Sequence, residues 1–267
     1  MALIEVEDLW YGYRPGHDVL RAIYLQIEAG EYLALIGQNG AGKTTLAKHF
    51  NGLYKPTRGA VRVAGIDTRS AGVAQFATRV GYCYQNPDHQ IFQGTIEEEV
   101  AFGPRNLGLG QAEVEERVAE ALGAVGLLAK RKQEPWFVGK GERQRIAVAS
   151  VLAMRPEAIV LDEPTTGLDW RGAREMLALV DRLNREGHTI IVITHDMRLV
   201  AEHARRVVAL CQGQVLIDAT PAEAFAQTER LRQTFLMPPQ VTQLSQALGQ
   251  RTALTVDELA RRLEVIP

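Results

Sequence analysis

Residues Gly37 to Thr44 read GQNGAGKT, three glycines spaced ahead of a lysine and a threonine. Glycine lets backbone N–H groups turn inward around a polyphosphate, and a helix beginning directly behind them adds its own partial positive charge. Chemistry of that kind would draw on Gly37, Gln38, Asn39, Gly40, Ala41, Gly42, Lys43, Thr44 and Thr45 to hold a nucleotide such as ATP. Lys43 would reach the β and γ phosphates, and Thr44 would ligate a magnesium ion. A glycine-rich structural turn is the competing reading. An apolar strand, Tyr32 to Ile36, precedes the loop and a helix-competent TTLAKHF follows it, which is the context phosphate binding requires.

The other half of such a site is a carboxylate at the end of a buried strand. AIVLDE, Ala158 to Glu163, supplies two. Asp162 can hold magnesium through water, and Glu163 can polarise an attacking water. Paired acids after a strand are often only a solvated strand end, so this motif gains its weight from the first.

The continuation DEPTTGLD, Asp162 to Asp169, resembles the ABC ATPase family, whose Walker B acid pair is followed by a proline and a short loop ending in Leu-Asp. The resemblance implies that Thr166, Gly167, Leu168 and Asp169 contact an opposite subunit. It further implies that His195, in IIVITHD, is the switch histidine that meets the γ phosphate. Gln85, closing VGYCYQ, would join the magnesium site to a transmembrane partner. Tyr13, 24 residues before Gly37, matches the aromatic that stacks on adenine, with Tyr11 the rival candidate.

One motif departs from the family. Where LSGGQ should stand, this chain has Val138, Gly139, Lys140, Gly141 and Glu142. In the family that signature covers the γ phosphate of ATP bound to the other subunit. Loss of the serine hydroxyl should weaken the contact, although a lysine can offer a charge-assisted hydrogen bond. The expectation is a weaker site wherever this chain supplies the signature.

Gln85 to Leu109, QNPDHQIFQGTIEEEVAFGPRNLGL, is similar to the corresponding run of energy-coupling-factor importer ATPases, as are PAEAF and MPPQVTQLSQALG near the end. That resemblance implies a subunit powering uptake of vitamins or transition-metal ions. Its partners would be a second ATPase subunit, identical or related, a transmembrane scaffold and a substrate-binding membrane protein. The expected location is peripheral, on the cytoplasmic side of the cell membrane. Ile91 and Phe92 could form a docking pocket for a helix of the membrane subunit, or both could be core residues of a helical subdomain. Another ABC transporter class, a soluble ABC protein acting on DNA or ribosomes, and a regulatory module without turnover are the alternatives.

Composition agrees with a peripheral ATPase. The chain has 267 residues, 46% hydrophobic, with 30 basic against 32 acidic side chains and net charge -2, so no basic footprint for nucleic acid. No stretch approaches the roughly 18 to 20 apolar residues that span a bilayer, and the start lacks a secretory pattern. Cys83 and Cys211 are far apart and read as buried, reduced thiols.

The elements that must position these motifs follow from periodicity. Residues 2 to 36 alternate as strands, Thr95 to Met154 is helical, and from Ala158 short apolar strands alternate with helices, one of them over Arg171 to Arg185. Alternation of that kind implies a mostly parallel sheet covered on both faces. The expected fold is an α/β P-loop NTPase core of the ABC ATPase kind. It carries an N-terminal antiparallel β subdomain, a helical insertion at about 87–156 and a small helical C-terminal extension. The expected division is a nucleotide-binding domain over 1–221 and the extension over 222–267, ending in an amphipathic helix from Thr255.

Overall fold

The computed structural model describes residues 2–264; Val265 and Ile266, the end of the expected last helix, lie outside the described residues. In chain order the first elements are β1 (Ala2–Arg14), β2 (His17–Glu28), β3 (Tyr32–Ile36), α1 (Lys43–Phe50), β4 (Arg58–Val63), β5 (Ile66–Asp67), α2 (Val73–Phe76) and β6 (Val80–Cys83). A helical stretch follows with α3 (Ile96–Asn106), α4 (Gln111–Ala124) and α5 (Lys140–Leu152). The chain then runs through β7 (Ala158–Asp162), α6 (Trp170–Arg185), β8 (Thr189–Ile193), α7 (Met197–His203), β9 (Arg206–Cys211) and β10 (Gln214–Ala219). It closes with α8 (Pro221–Ala226), α9 (Thr228–Arg232), α10 (Gln240–Ala247) and α11 (Val256–Glu264).

Two sheets result. An antiparallel one has the order β2-β1-β4-β5, and a six-stranded one has the order β10-β9-β3-β8-β7-β6, parallel except for β10. The central strands β3, β7 and β8 are buried at every position because both of their faces are covered, with Asp162 and Thr189 as polar ends of otherwise apolar runs. On β8, Ile190 and Val192 pack into the cluster with α3–α6, whereas Ile191 and Ile193 pack toward α1 and the antiparallel sheet. On β7, Ile159 and Leu161 take the first side and Ala158 and Val160 the second. This two-residue alternation fixes register, because a one-residue slip would exchange the two cores.

Helix boundaries have local causes. Thr95 and Glu98 form a capping box at α3: the Thr95 hydroxyl accepts from the Glu98 N–H, and the Glu98 carboxylate accepts from the Thr95 N–H at 3.0 Å. The Asp169 carboxylate accepts the Gly172 N–H at 2.7 Å and caps α6, which starts one residue earlier than its pattern suggests. Phe225 of α8 and Leu231 of α9 are fully buried against Val207 and Ala209 of β9, so the first two helices after residue 220 are packed on the sheet.

One expectation is corrected. Cys83 is buried, and burial pushes its thiol up to about 12. Cys211 is only partly buried: it closes β9 where the strand meets the later helices, and its thiol donates to the Gln233 carbonyl at 3.3 Å.

Candidate nucleotide site

The carboxyl ends of β3, β6, β7 and β8 gather the motifs at one edge of the parallel sheet, the edge where ligands bind in open α/β sheets. The register shows why. Leu35 lies opposite Ile193, Asp162 opposite Ile193 from the other side, and Cys83 opposite Leu161. The next residues of the four strands therefore emerge side by side: the glycine loop, Glu163, Thr194–His195 and Tyr84–Gln85.

The glycine loop is backbone-limited at two points. Gly37 has φ +143 and a Cβ there would collide with the Leu210 carbonyl; Gly42 has φ +102 and its Cβ would sit 2.7 Å from Leu20 Cδ2. Asn39 and Gly40 form the exposed tip. The Ala41 N–H donates to the Gln38 carbonyl at 3.1 Å, and the Gly213 N–H to the Ala41 carbonyl at 3.1 Å, tying the loop to the β9–β10 turn. Lys43 is buried and its ammonium donates to the Gly37 and Gln38 carbonyls at 2.7 and 3.0 Å. Burial pulls its pKa below the usual lysine range, while Glu163 and Asp162 push it back up.

At the end of β7, one oxygen of the buried Asp162 accepts two hydroxyls: Thr44 at 3.0 Å and Tyr82 at 2.7 Å. Glu163 sits at φ +50, a left-handed conformation uncommon for residues other than glycine and frequent at functional sites. Its carboxylate is 2.6 Å from His195 Nδ1 and accepts the Thr166 hydroxyl at 3.3 Å. His195 and Glu163 are thus brought together. Gln85 is exposed and is not among the groups that hydrogen-bond Asp162. Tyr82 escapes the sequence reading because its contact depends on β6 lying beside β7, 80 residues away.

Tyr13 and Tyr11 differ in access. Tyr13 is 57% exposed, and its hydroxyl is 2.9 Å from that of Thr45. Tyr11 is partly buried, with Tyr54 stacked on its ring at 5.1 Å and His49 set edgewise at 4.7 Å. Tyr54, which carries no motif, completes this aromatic group.

Val138 to Glu142 lie elsewhere. Val138 is buried and Gly139 precedes α5. The Lys140 ammonium lies over Gly167, and Glu142 pairs with Lys130 at 2.6 Å. Gly139 to Glu142, with Leu168, Asp169, Arg145 and Arg171, line a cavity of about 440 Å³ that includes no residue of the glycine loop; Val138 is not part of its lining.

Beside Gln85, a groove of about 490 Å³ runs between the sheet and the helical subdomain, lined by Tyr82, Tyr84, Phe92, Phe102, Val151 and Met154 among others. Ile91 and Phe92 take opposite roles there: Ile91 is buried in the core, and Phe92 is 60% exposed against Phe102. The Phe92 and Gln93 N–H groups both donate to the buried Glu99 carboxylate at 2.9 Å, which fixes the backbone that presents Phe92.

Residues 20–166 match the family model described as ABC transporter. A putative ABC transporter ATP-binding protein of Caldanaerobacter subterraneus is 51% identical over 257 residues, 96% of this chain, and the chain spans 45% of that relative's length. The energy-coupling factor transporter ATP-binding protein EcfA of Methanocaldococcus jannaschii is 42% identical over 259 residues, covering 96% of this chain and 93% of the relative. The solved structure of cbiO1 from Clostridium perfringens, described as part of the ABC transporter complex cbiONQ, has a TM-score of 0.79 at 32% identity, covering 93% of this chain and 99% of that one. The chain belongs to the ABC transporter ATPase family and is of the energy-coupling-factor ATP-binding subunit type.

Proposed function

We propose that this chain hydrolyses ATP to power an energy-coupling-factor-type importer of vitamins or transition-metal ions. The observation that carries the ATPase part is the convergence of Lys43, Thr44, Asp162, Glu163 and His195 at one sheet edge. The Thr44 hydroxyl and the Asp162 carboxylate are adjacent hard oxygen donors, the kind of set that suits magnesium sharing its shell with phosphate oxygens and water. Thr44, Asp162 and Gln85 would hold the ion, which supplies charge neutralisation across the β and γ phosphates.

The chain's own residues do the rest. Backbone N–H groups of the glycine loop and Lys43 hold the phosphates and offset charge developing on the γ phosphoryl. Lys43 must leave the Gly37 and Gln38 carbonyls to do so. Glu163 orients the attacking water and takes its proton, and His195, within hydrogen-bond distance of Glu163, senses the γ phosphate. Tyr13 offers its exposed ring to adenine, since Tyr11 is already covered by Tyr54 and His49.

The cavity lined by Gly139–Glu142 contains none of the glycine loop, which is what a signature meant for ATP on a second subunit requires. Two ATPase subunits would close head to tail, with Asp169 at their contact and both coupled to a transmembrane scaffold. A separate membrane protein would select the cargo. Among the described residues no helix is long and apolar enough to cross a membrane, so the chain would attach peripherally on the cytoplasmic side.

The groove around Phe92 suits an apolar helix of the scaffold. Affinity purification from native membranes tests the assignment: the wild-type chain should bring down a membrane scaffold, and Phe92→Asp should lose it while binding ATP with unchanged affinity. Undiminished recovery of the scaffold by Phe92→Asp would contradict the docking role, and recovery of no membrane protein by the wild type would contradict the importer assignment.

A further inference from the structure

Tyr82 is a buried phenol whose hydroxyl ends on a carboxylate of the proposed metal site. It lies on β6, three residues before Gln85, with its ring against the groove and against Tyr84 at 5.2 Å. Its hydroxyl donates to Asp162 Oδ2 at 2.7 Å, shorter than the 3.0 Å bond from Thr44 to the same atom.

The geometry of that carboxylate is informative. A carboxylate that is held by one donor can still rotate about its Cβ–Cγ bond. Two donors converging on one oxygen from different elements of the fold remove that freedom. Thr44 arrives from α1 and Tyr82 from β6, so Oδ2 is pinned from both sides and Oδ1 is left for a water of the metal shell. Thr44 alone supplies one donor from one side, and the Tyr82 hydroxyl supplies the second. We propose that Tyr82 is a positioning residue of the magnesium–ATP site, whose hydroxyl holds Asp162 in the rotamer that receives the metal's water. This rests on the reading of Thr44 and Asp162 as magnesium residues.

A buried tyrosine whose hydroxyl merely finds the nearest acceptor is the structural alternative, and the two differ in what metal does to nucleotide binding. Binding of a non-hydrolysable ATP analogue to the full-length chain, measured calorimetrically with Mg2+ and again with EDTA, separates them. Tyr82→Phe keeps the ring and its packing and removes only the hydroxyl. It should bind the metal-free analogue as the wild type does, while the gain in affinity from Mg2+ shrinks about tenfold, the size of one hydrogen bond to a charged group. Mn2+ bound with the analogue should show a correspondingly weaker association by electron paramagnetic resonance. A magnesium gain equal to or larger than that of the wild type would overturn the proposal, as would a uniform loss of affinity with and without metal. If the wild type itself gains nothing from Mg2+, the metal-site reading fails, and the proposal with it.

Discussion

Around Lys43 the polar side chains of the strand ends are bonded to one another over a buried Asp162, whereas around Lys140 they line an open cavity and Glu142 is bonded away from it. Asp162 holds Thr44 and Tyr82, and Glu163 holds His195. Glu142, by contrast, is drawn off by Lys130, and Lys140 is laid across Gly167. The first region is fixed by strand register, and strand ends cannot move without breaking two hydrophobic cores. The second is a helix start with glycine at its cap and no side-chain hydroxyl in it. The groups proposed to do the chemistry thus sit at strand ends and on the first turn of the helix that follows one of them. The residues proposed to face a partner's nucleotide sit at a helix start outside the strand ends, and there the sequence departs from the family pattern.

The largest effect expected within the preformed half comes from Glu163→Gln, which keeps shape and removes the base. Turnover of ATP should fall about a hundredfold or more with nucleotide affinity retained, measured by phosphate release alongside equilibrium binding. Wild-type turnover would place the base elsewhere and dissolve the contrast between the two regions.

A smaller, physical contrast concerns acid. His49, fully buried on α1, has its pKa pulled down to about 4 by burial. The unfolded chain binds that proton near pH 6.5, so its contribution to stability is full above 6.5 and drains away as the pH falls to 4. The loss amounts to up to about 3 kcal/mol. Denaturant unfolding at pH 7 and pH 4.5 should show this slope in the wild type and a shallower one in His49→Gln. Equal slopes would mean that the α1 region is not the tightly closed half.

Residues adjacent in sequence were the legible part of the site. The glycine loop and the acid pair are local patterns, and each reads directly because its partners lie within a few positions. The apolar strands were legible too, although the sequence could not assign their faces. What stayed hidden depends on neighbours brought in by topology. Tyr82 finds Asp162 only once β6 is placed beside β7, and Tyr54 joins Tyr11 only through the turn after α1. Ile91 and Phe92 look alike as an apolar pair, yet one is core and the other is surface. Cys211 was misread for a related reason: a cysteine at the mouth of a strand is only as buried as the helices packed over it, here the segment around Gln233.

The contrast between the two regions is tested most directly by rebuilding the signature. In the assembled transporter complex, Val138→Leu, Gly139→Ser, Lys140→Gly and Glu142→Gln together restore the family pattern. Turnover or ATP affinity at the site that uses this signature should rise about tenfold, a fraction of what a full charge-stabilising donor contributes. Unchanged turnover and unchanged ATP affinity would contradict the account.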